Sequence, residues 1–180
     1  MATSDEVLSI YARGGAVLYF GEPVTVSEHC LQAAHFAQAA GAPEALVLAA
    51  LLHDVGHLIE AVPDDIADWK IDGRHEITGG RWLAARFGPA VSEPVRLHVP
   101  AKRYLCATDP GYFSKLSSAS VVTLRLQGGS MSRAERAAFE AEPYHREAVR
   151  IRQWDDQGKI AGLRTADFAH YRLLIDRLAA

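Results

Sequence analysis

Leu51-Leu52-His53-Asp54-Val55-Gly56-His57-Leu58 sets a histidine and an aspartate side by side at the end of an apolar run, with a second histidine four residues on. From Pro43 to Leu52 nearly every residue is apolar (Ala45, Leu46, Val47, Leu48, Ala49, Ala50, Leu51, Leu52), which predicts a helix buried on most of its surface. A carboxylate and two imidazoles at the end of such a helix are costly to bury without partners. Read as helical, the spacing of His53 and His57 puts both on one face. Imidazole with carboxylate is a ligand set that suits iron or manganese as readily as zinc. For the His53-Asp54 pair alone, the plainer alternative is an aspartate capping a local turn and histidines satisfied within the core.

Outward on the N-terminal side, Ser4 or Asp5 can cap a first helix running through Val7, Leu8, Ile10 and Tyr11 to Val17 and Leu18, with Gly14-Gly15 weakening its middle. Tyr19-Phe20-Gly21-Glu22-Pro23 reads as a loop. Thr25 or Ser27 starts the next helix, which carries Glu28, His29 and His35 and ends near Gly41. On the C-terminal side, residues 60–73 change character: Pro63, Asp64, Asp65, Asp68 and Asp72 surround Trp69, the composition of a surface loop or flap. His75-Glu76 leads into Trp82, Leu83 and Phe87 at helical spacing, closed by Gly88-Pro89. Val91 to His98 is expected to form a short helix stopped by Pro100, with Lys102 to Ala107 continuing after the break. Leu116 to Leu126 reads as a further core helix, with a strand as its alternative because Val121-Val122-Thr123 is β-branched. Ser132 and Glu135 make a capping box for a helix to Ala141. An amphipathic stretch follows from Tyr144 to Asp156, and the tail from Thr165 to Leu178 repeats apolar positions at helical intervals. The expected fold is an all-α single domain over residues 1–180.

Composition narrows the partners. A net charge of −3 gives no basic field, so neither nucleic acid nor an anionic membrane is expected to bind. No stretch is long and apolar enough to span a bilayer, and Met1 to Glu6 lacks the basic start of a signal peptide. Two cysteines, Cys30 and Cys106, form neither a disulfide framework nor a CxxC motif, so a reduced, cytoplasmic protein is predicted. A small anion held by a few local cations remains a fitting ligand.

Six residues stand out as ligand types: His29, His53, Asp54, His75, His98 and Asp155. They come from five separate segments, the way helical folds assemble metal sites in their cores. Two metals would need a shared ligand, and the Asp54 carboxylate can bridge where an imidazole cannot easily do so.

With these motifs in hand, the chain resembles the HD-domain proteins, and within them the mixed-valent di-iron oxygenases, the group of myo-inositol oxygenase and the PhnZ-like hydroxyalkylphosphonate oxygenases. The resemblance covers nearly the whole chain. It is carried by Tyr19-Phe20-Gly21-Glu22-Pro23-Val24-Thr25, Glu28-His29, Leu52 to His57, His75-Glu76, His98-Val99-Pro100-Ala101-Lys102-Arg103-Tyr104-Leu105-Cys106, Leu126-Gln127-Gly128-Gly129 and Arg152-Gln153-Trp154-Asp155-Asp156. The His98 to Cys106 segment is the most specific part and points to the phosphonate-cleaving branch.

The resemblance implies an HD-type helical bundle with two irons, Fe(II) and Fe(III), in its core. One would be held by His29, His53 and Asp155, the other by His75 and His98, with Asp54 bridging. It implies O2 as co-substrate and a 1-hydroxy-2-aminoethylphosphonate, or its 2-trimethylammonio analogue, as the organic substrate. Oxidative cleavage of the carbon–phosphorus bond would give inorganic phosphate with glycine or glycine betaine. Lys102, a turn beyond His98, and Arg152, three residues before Asp155, are expected to take the phosphonate charge, with His57 and Ser120 adding hydrogen bonds and Gln127 a further member of the pocket. Tyr19 and Glu22 resemble the family's gate: the tyrosine would occupy a metal position until substrate arrives, and Glu22 would pair with the substrate's cationic nitrogen.

An HD-type phosphohydrolase of nucleotides or other phosphomonoesters would use the same ligands with other metals, and a non-enzymatic ligand-binding module would be expected to have lost some of them. The organic phosphonate is the expected small-molecule partner, and the chain is expected to act as a monomer or weak homodimer. His35, His145 and His170 read as surface or packing histidines, and Cys30 and Cys106 as small buried hydrophobes.

Overall fold

Thr25 caps the second helix of the chain: its side chain accepts from the Glu28 backbone N–H at 3.2 Å, while Glu28 Oε2 accepts from the Thr25 N–H at 2.7 Å. Reciprocal caps of this kind, local in sequence, start the helices at Val26 and Arg133 where the sequence predicts, whereas the first helix begins at Thr3 with no side-chain cap in place of the expected Ser4 or Asp5. The computed structural model describes residues 2–59 and 74–180. The expected loop of residues 60–73, with Trp69, lies outside them. In order, the helices are α1 (Thr3–Gly14), α2 (Val26–Ala39), α3 (Glu44–Leu52), α4 (Gly56–Ile59), α5 (His75–Ala84), α6 (Pro89–Thr108), α7 (Ser118–Leu126), α8 (Arg133–Glu140), α9 (His145–Gln157) and α10 (Arg172–Leu178). Short 3-10 segments cover Phe113–Lys115 and Phe168–Tyr171. Among the described residues there is no strand, only two isolated bridges. The all-α reading of the sequence holds.

The apolar helix α3 occupies the centre. Leu48, Leu51 and Leu52 are fully buried, each contributing roughly 1.5–3 kcal/mol of transfer free energy. A helix apolar on all sides needs neighbours on all sides. α3 packs on α2, α6 and α9, and α6 in turn packs on α5 and α9. A second, smaller cluster of Leu97, Ala101, Phe139 and Ala148 ties α8 to α6 and α9.

The structure departs from the sequence reading at four places. α1 stops at Gly14 instead of reaching Leu18, and Gly15, on which a Cβ would lie 2.0 Å from Ser27 Oγ, lets the start of α2 cross close behind it. Leu18 leaves the helix to bridge with Thr25. α3 ends at Leu52, so His53 and His57 do not share one helix. A turn over residues 53–55 separates them, and the His57 N–H bonds to the Asp54 carbonyl at 3.0 Å. α6 runs unbroken through Pro94 and Pro100, where a stop at Pro100 was expected. Its buried face (Val95, Leu97, His98, Val99, Ala101, Lys102) holds it across the backbone bonds the prolines cannot make. α7 is a helix, as its apolar run suggests, but not a core one. Ser120 and Leu124 alone are buried, and Val122 is 51% exposed.

The crossing of α4 and α5 brings the His53-Asp54 turn against His75. A Cβ on Gly56 would sit 2.0 Å from the His75 carbonyl oxygen and 3.0 Å from the Gly79 nitrogen, both backbone atoms that cannot swing away. Gly56→Ala is therefore expected to destabilise by about 3 kcal/mol, at the upper end of overpacking costs. The melting temperature should fall by about 6–12 °C for a chain of this size. An unchanged thermal melt would show that the crossing is looser than this.

Candidate metal centre

Six side chains predicted as ligands meet in the middle of the bundle. His29 comes from α2, His53 and Asp54 from the turn after α3, His75 from the first residue of α5, His98 from mid-α6 and Asp155 from α9. All except His75 are fully or almost fully buried.

Their ring nitrogens are oriented from behind. Nδ1–H of His29 faces the Gly158 carbonyl at 2.9 Å, that of His53 the Ala50 carbonyl at 2.8 Å and that of His98 the Val95 carbonyl at 2.7 Å. A carbonyl only accepts, so in each ring Nδ1 carries the proton and Nε2 presents a lone pair. Such backing is how proteins orient a metal-binding imidazole. The result is a conflict that a cation resolves: Nε2 of His29 and Nε2 of His53 are 3.1 Å apart, lone pair to lone pair. Nε2 of His75 and His98 are 3.2 Å apart.

Asp54 stands between the two pairs. Its Oδ2 lies 3.4 Å from His53 Nε2 and 3.5 Å from His29 Nε2, and its Oδ1 lies 3.3 Å from His75 Nε2 and 3.6 Å from His98 Nε2. His29, His53 and Asp54 form one candidate ligand group, and Asp54, His75 and His98 another. Asp155 joins the first, with Oδ1 at 3.5 Å from His29 and Oδ2 at 4.0 Å from His53. Asp54 Oδ2 and Asp155 Oδ1 are buried without a hydrogen-bond partner among the described residues. Two orphaned carboxylate oxygens beside two facing imidazole lone pairs fit a divalent or trivalent cation, and the all-nitrogen-and-oxygen donor set fits iron.

Titration favours the same state. Burial pushes His29 down to about 4 and, with the neighbouring His75, His98 down to about 3, so both are neutral near pH 7. Burial raises the Asp54 carboxyl, but the His53 charge and the hydrogen bond from His75 outweigh it and leave it well below the usual carboxylate range. Neutral His29 and His98 and an ionised Asp54 are the forms a metal needs; at His75 burial is outweighed by the hydrogen bond and charge of Asp54, which raise it, so a metal there would displace a proton.

A small cavity of about 40 Å³ opens beside this cluster. Every residue expected to meet substrate lines it: Tyr19, Glu22, His57, Lys102, Ser120, Gln127 and Arg152. Their individual states differ from the simple picture. Tyr19 stacks flat on His29, ring centroids 3.8 Å apart, at the head of a turn in which Phe20 (φ 47°) and Gly21 (φ 77°) are both left-handed. That conformation costs a phenylalanine on the order of 1 kcal/mol. His57 stacks on His75 at 3.8 Å and lies 3.9 Å from Asp54 Oδ1. Lys102 is buried, with Thr123 Oγ1 at 2.8 Å as its hydrogen-bond partner. Arg152 is largely committed elsewhere: it donates to Asp155 at 2.8 Å, to both oxygens of Asp156 and to the Tyr112 hydroxyl at 3.0 Å. Its guanidinium is therefore shared among Asp155, Asp156 and Tyr112, with most of its donors on Asp156 and Tyr112, and only the remainder is left for the cavity. Gln127 Oε1 is buried without a hydrogen-bond partner among the described residues.

Sequence reasoning missed four members of the site. Thr123 follows Ser120 by three residues on α7 and so shares its face, a signal that was available. Lys159 follows Asp155 by four residues and lines the cavity, with Nζ 3.1 Å from Ser120 Oγ. Asp156 pairs with Arg152 one turn away. Tyr112 comes from the loop after α6 and reaches Arg152 over 40 residues, a contact no local pattern encodes. Conversely His35, His145 and His170 lie outside the cluster, as expected, and Cys30 is a buried core residue. Among the described residues no helix is long and apolar enough to cross a membrane.

Residues 26–156 match the HD domain family. The chain is 45% identical over 163 residues to a hydroxymethylphosphonate dioxygenase of Gimesia maris, covering 88% of this chain and 79% of that one. It is 42% identical over 169 residues to a glycine-betaine-forming 1-hydroxy-2-(trimethylamino)ethylphosphonate dioxygenase of Leisingera caerulea, covering 94% of this chain and 86% of that one.

Proposed function

This chain belongs to the HD-domain family, in the branch of the phosphonate dioxygenases, and on that premise we propose that it cleaves the carbon–phosphorus bond of a 1-hydroxyalkylphosphonate with O2. The substrate is 1-hydroxy-2-aminoethylphosphonate or its 2-trimethylammonio analogue, and the organic product is glycine or glycine betaine. Atoms balance as R–CH(OH)–PO3H2 + O2 giving R–COOH + H3PO4: one oxygen atom enters the carboxyl group, the other the phosphate. The observation that carries the metal assignment is the pair of facing imidazole lone pairs beside two partnerless carboxylate oxygens. In this reading His29, His53 and Asp155 would hold one iron, His75 and His98 the other, and Asp54 would serve both. The irons supply the activation of O2, which no side chain can perform.

The protein's share is binding, orientation and exclusion of water. Lys102 and Ser120 face the phosphonate oxygens from α6 and α7, and the free edge of Arg152 adds a donor from α9. His57 lies beside Asp54, placed to donate to the substrate. The rotated amide of Gln127 would present its NH2 in place of the orphaned Oε1. The cavity has room for only about three waters at ~10–15 Å³ each. A hydroxyalkylphosphonate with its tail needs more, so the Tyr19 ring must leave His29 for substrate to enter.

The decisive experiment measures phosphate release from both substrates, by iron-loaded protein, in air and under nitrogen. Phosphate is expected in air alone, with glycine or glycine betaine in equal amount. Release under nitrogen would replace oxidation with hydrolysis.

A further inference from the structure

Glu22, assigned above to the tail end of the pocket, is not left without a cation. Its Oε1 is buried and has no hydrogen bond among the described residues, yet Lys159 Nζ stands 4.0 Å away. The same ammonium lies 3.1 Å from Ser120 Oγ and 3.8 Å from Asp156 Oδ1. Lys159 thus sits at the junction between the hydroxyl that faces the phosphonate and the carboxylate that faces the tail. Both Lys159 and Glu22 are mostly buried, 12% and 14% exposed, so the pair is only weakly screened. At 4.0 Å the contact is too long for a hydrogen bond, and a lysine on its four-carbon stem can shift between Glu22 and Asp156 without leaving the pocket.

We propose that Lys159 determines which tail the pocket accepts, by serving as the internal counter-cation of Glu22 when the substrate carries no nitrogen. A 1-hydroxyphosphonate with an uncharged tail leaves Glu22 dependent on Lys159. A substrate with a 2-ammonio group brings its own cation, and the two positive charges compete for one carboxylate until Lys159 withdraws toward Asp156. The lysine is therefore a specificity residue: it lets the pocket also take a phosphonate without a nitrogen, and it narrows the advantage an ammonium tail has over an uncharged one. This inference rests on the phosphonate reading above and deepens it. Charge balance at Glu22 alone does not require a cationic substrate, since the protein already carries a cation there.

The test compares Lys159→Gln with the parent protein, iron-loaded, on hydroxymethylphosphonate and on 1-hydroxy-2-aminoethylphosphonate. The ratio of kcat/KM values should move by about tenfold or more toward the ammonium substrate, the size of effect seen when one partner of a buried charge pair is removed. The change should appear in KM. Calorimetric titration of both ligands under nitrogen, where no turnover occurs, should show the same shift in Kd. Lys159→Arg keeps the charge and should restore the parent ratio, which a merely structural role would not require. Equal losses on both substrates would make Lys159 a phosphonate clamp and overturn the proposal, as would an unchanged ratio. If the parent protein releases phosphate from neither substrate in air, the phosphonate reading itself falls and this inference with it.

Discussion

Asp54→Asn is expected to lower O2-dependent phosphate release by a factor on the order of 10³ or more, and to reduce bound iron from two ions per chain to one or none. The substitution keeps the shape of the side chain and removes what the two halves of the site share. In the parent, Oδ1 faces His75 and His98 at 3.3 and 3.6 Å, while Oδ2 faces His53 and His29 at 3.4 and 3.5 Å. An amide has one oxygen for two metals, and its NH2 would donate to whichever histidine pair it faced instead of ligating beside it. A two-metal clamp supplies several kcal/mol of transition-state stabilisation, and each ~1.4 kcal/mol is tenfold in rate. Three orders of magnitude correspond to about 4 kcal/mol, so the estimate asks no more of the bridge than that. The metal-free variant is expected to melt no lower than the metal-free parent, because a buried carboxylate oxygen without a partner has been taken away. Iron analysis and thermal melts on the same preparation check both halves. Two irons retained in the variant would show that Asp54 is not what joins them.

The metal cluster and the helices were legible for one reason and the pocket's charge network was hidden for another. Caps and apolar runs are local: Thr25 with Glu28, Ser132 with Glu135 and the run before His53 each carry their signal within a few residues. Buried imidazoles and carboxylates are costly, so a chain that places His29, His53, Asp54, His75, His98 and Asp155 in apolar surroundings advertises a shared purpose. What sequence could not supply was who pairs with whom across the bundle. Arg152 reads from its spacing as a phosphonate donor, yet in the structure Asp155, Asp156 and Tyr112 take most of its donors. Glu22 reads as a carboxylate awaiting a substrate cation, and Lys159 stands beside it. Backbone detail failed the same way. The turn between His53 and His57 leads into Gly56, where the His75 carbonyl approaches too closely for a side chain, a contact between segments 19 residues apart. α6 passes through Pro100 because its buried face outweighs the missing hydrogen bond, an outcome set by tertiary packing.

Lys102 carries the other large prediction, because it is a cation the fold buries without a carboxylate. It is 2% exposed, its hydrogen-bond partner is the neutral Thr123, and among the described residues no aspartate or glutamate lies within ion-pair reach. Burial, reinforced by the nearby Arg152 charge, pulls its ammonium from 10.5 down to about 7. A shift of that size costs folding on the order of 5 kcal/mol below about pH 7, where the lysine is protonated in both the folded and the unfolded chain. The sign follows from the direction: with the folded value below the unfolded one, the unfolded chain binds more protons between about pH 7 and 10.5, so stability contributed by this group rises with pH across that window. A chain keeps such a residue when something it binds needs it, and an uncompensated ammonium on the cavity wall is matched by a phosphonate dianion. Lys102→Met should therefore move stability and activity in opposite directions. At pH 7 its melting temperature should rise by several degrees, and by pH 10 the advantage should shrink as the parent's unfolded lysine loses its proton. Phosphate release should drop by a factor on the order of 10² in kcat/KM, with iron content unchanged, since a buried charged contact to an anion is worth about 2–5 kcal/mol when one partner is truncated. The parent's kcat/KM should decline above about pH 7 as the free enzyme's ammonium deprotonates, and the variant should lack that decline. A variant that is less stable and fully active would place Lys102 in the scaffold and remove it from the pocket.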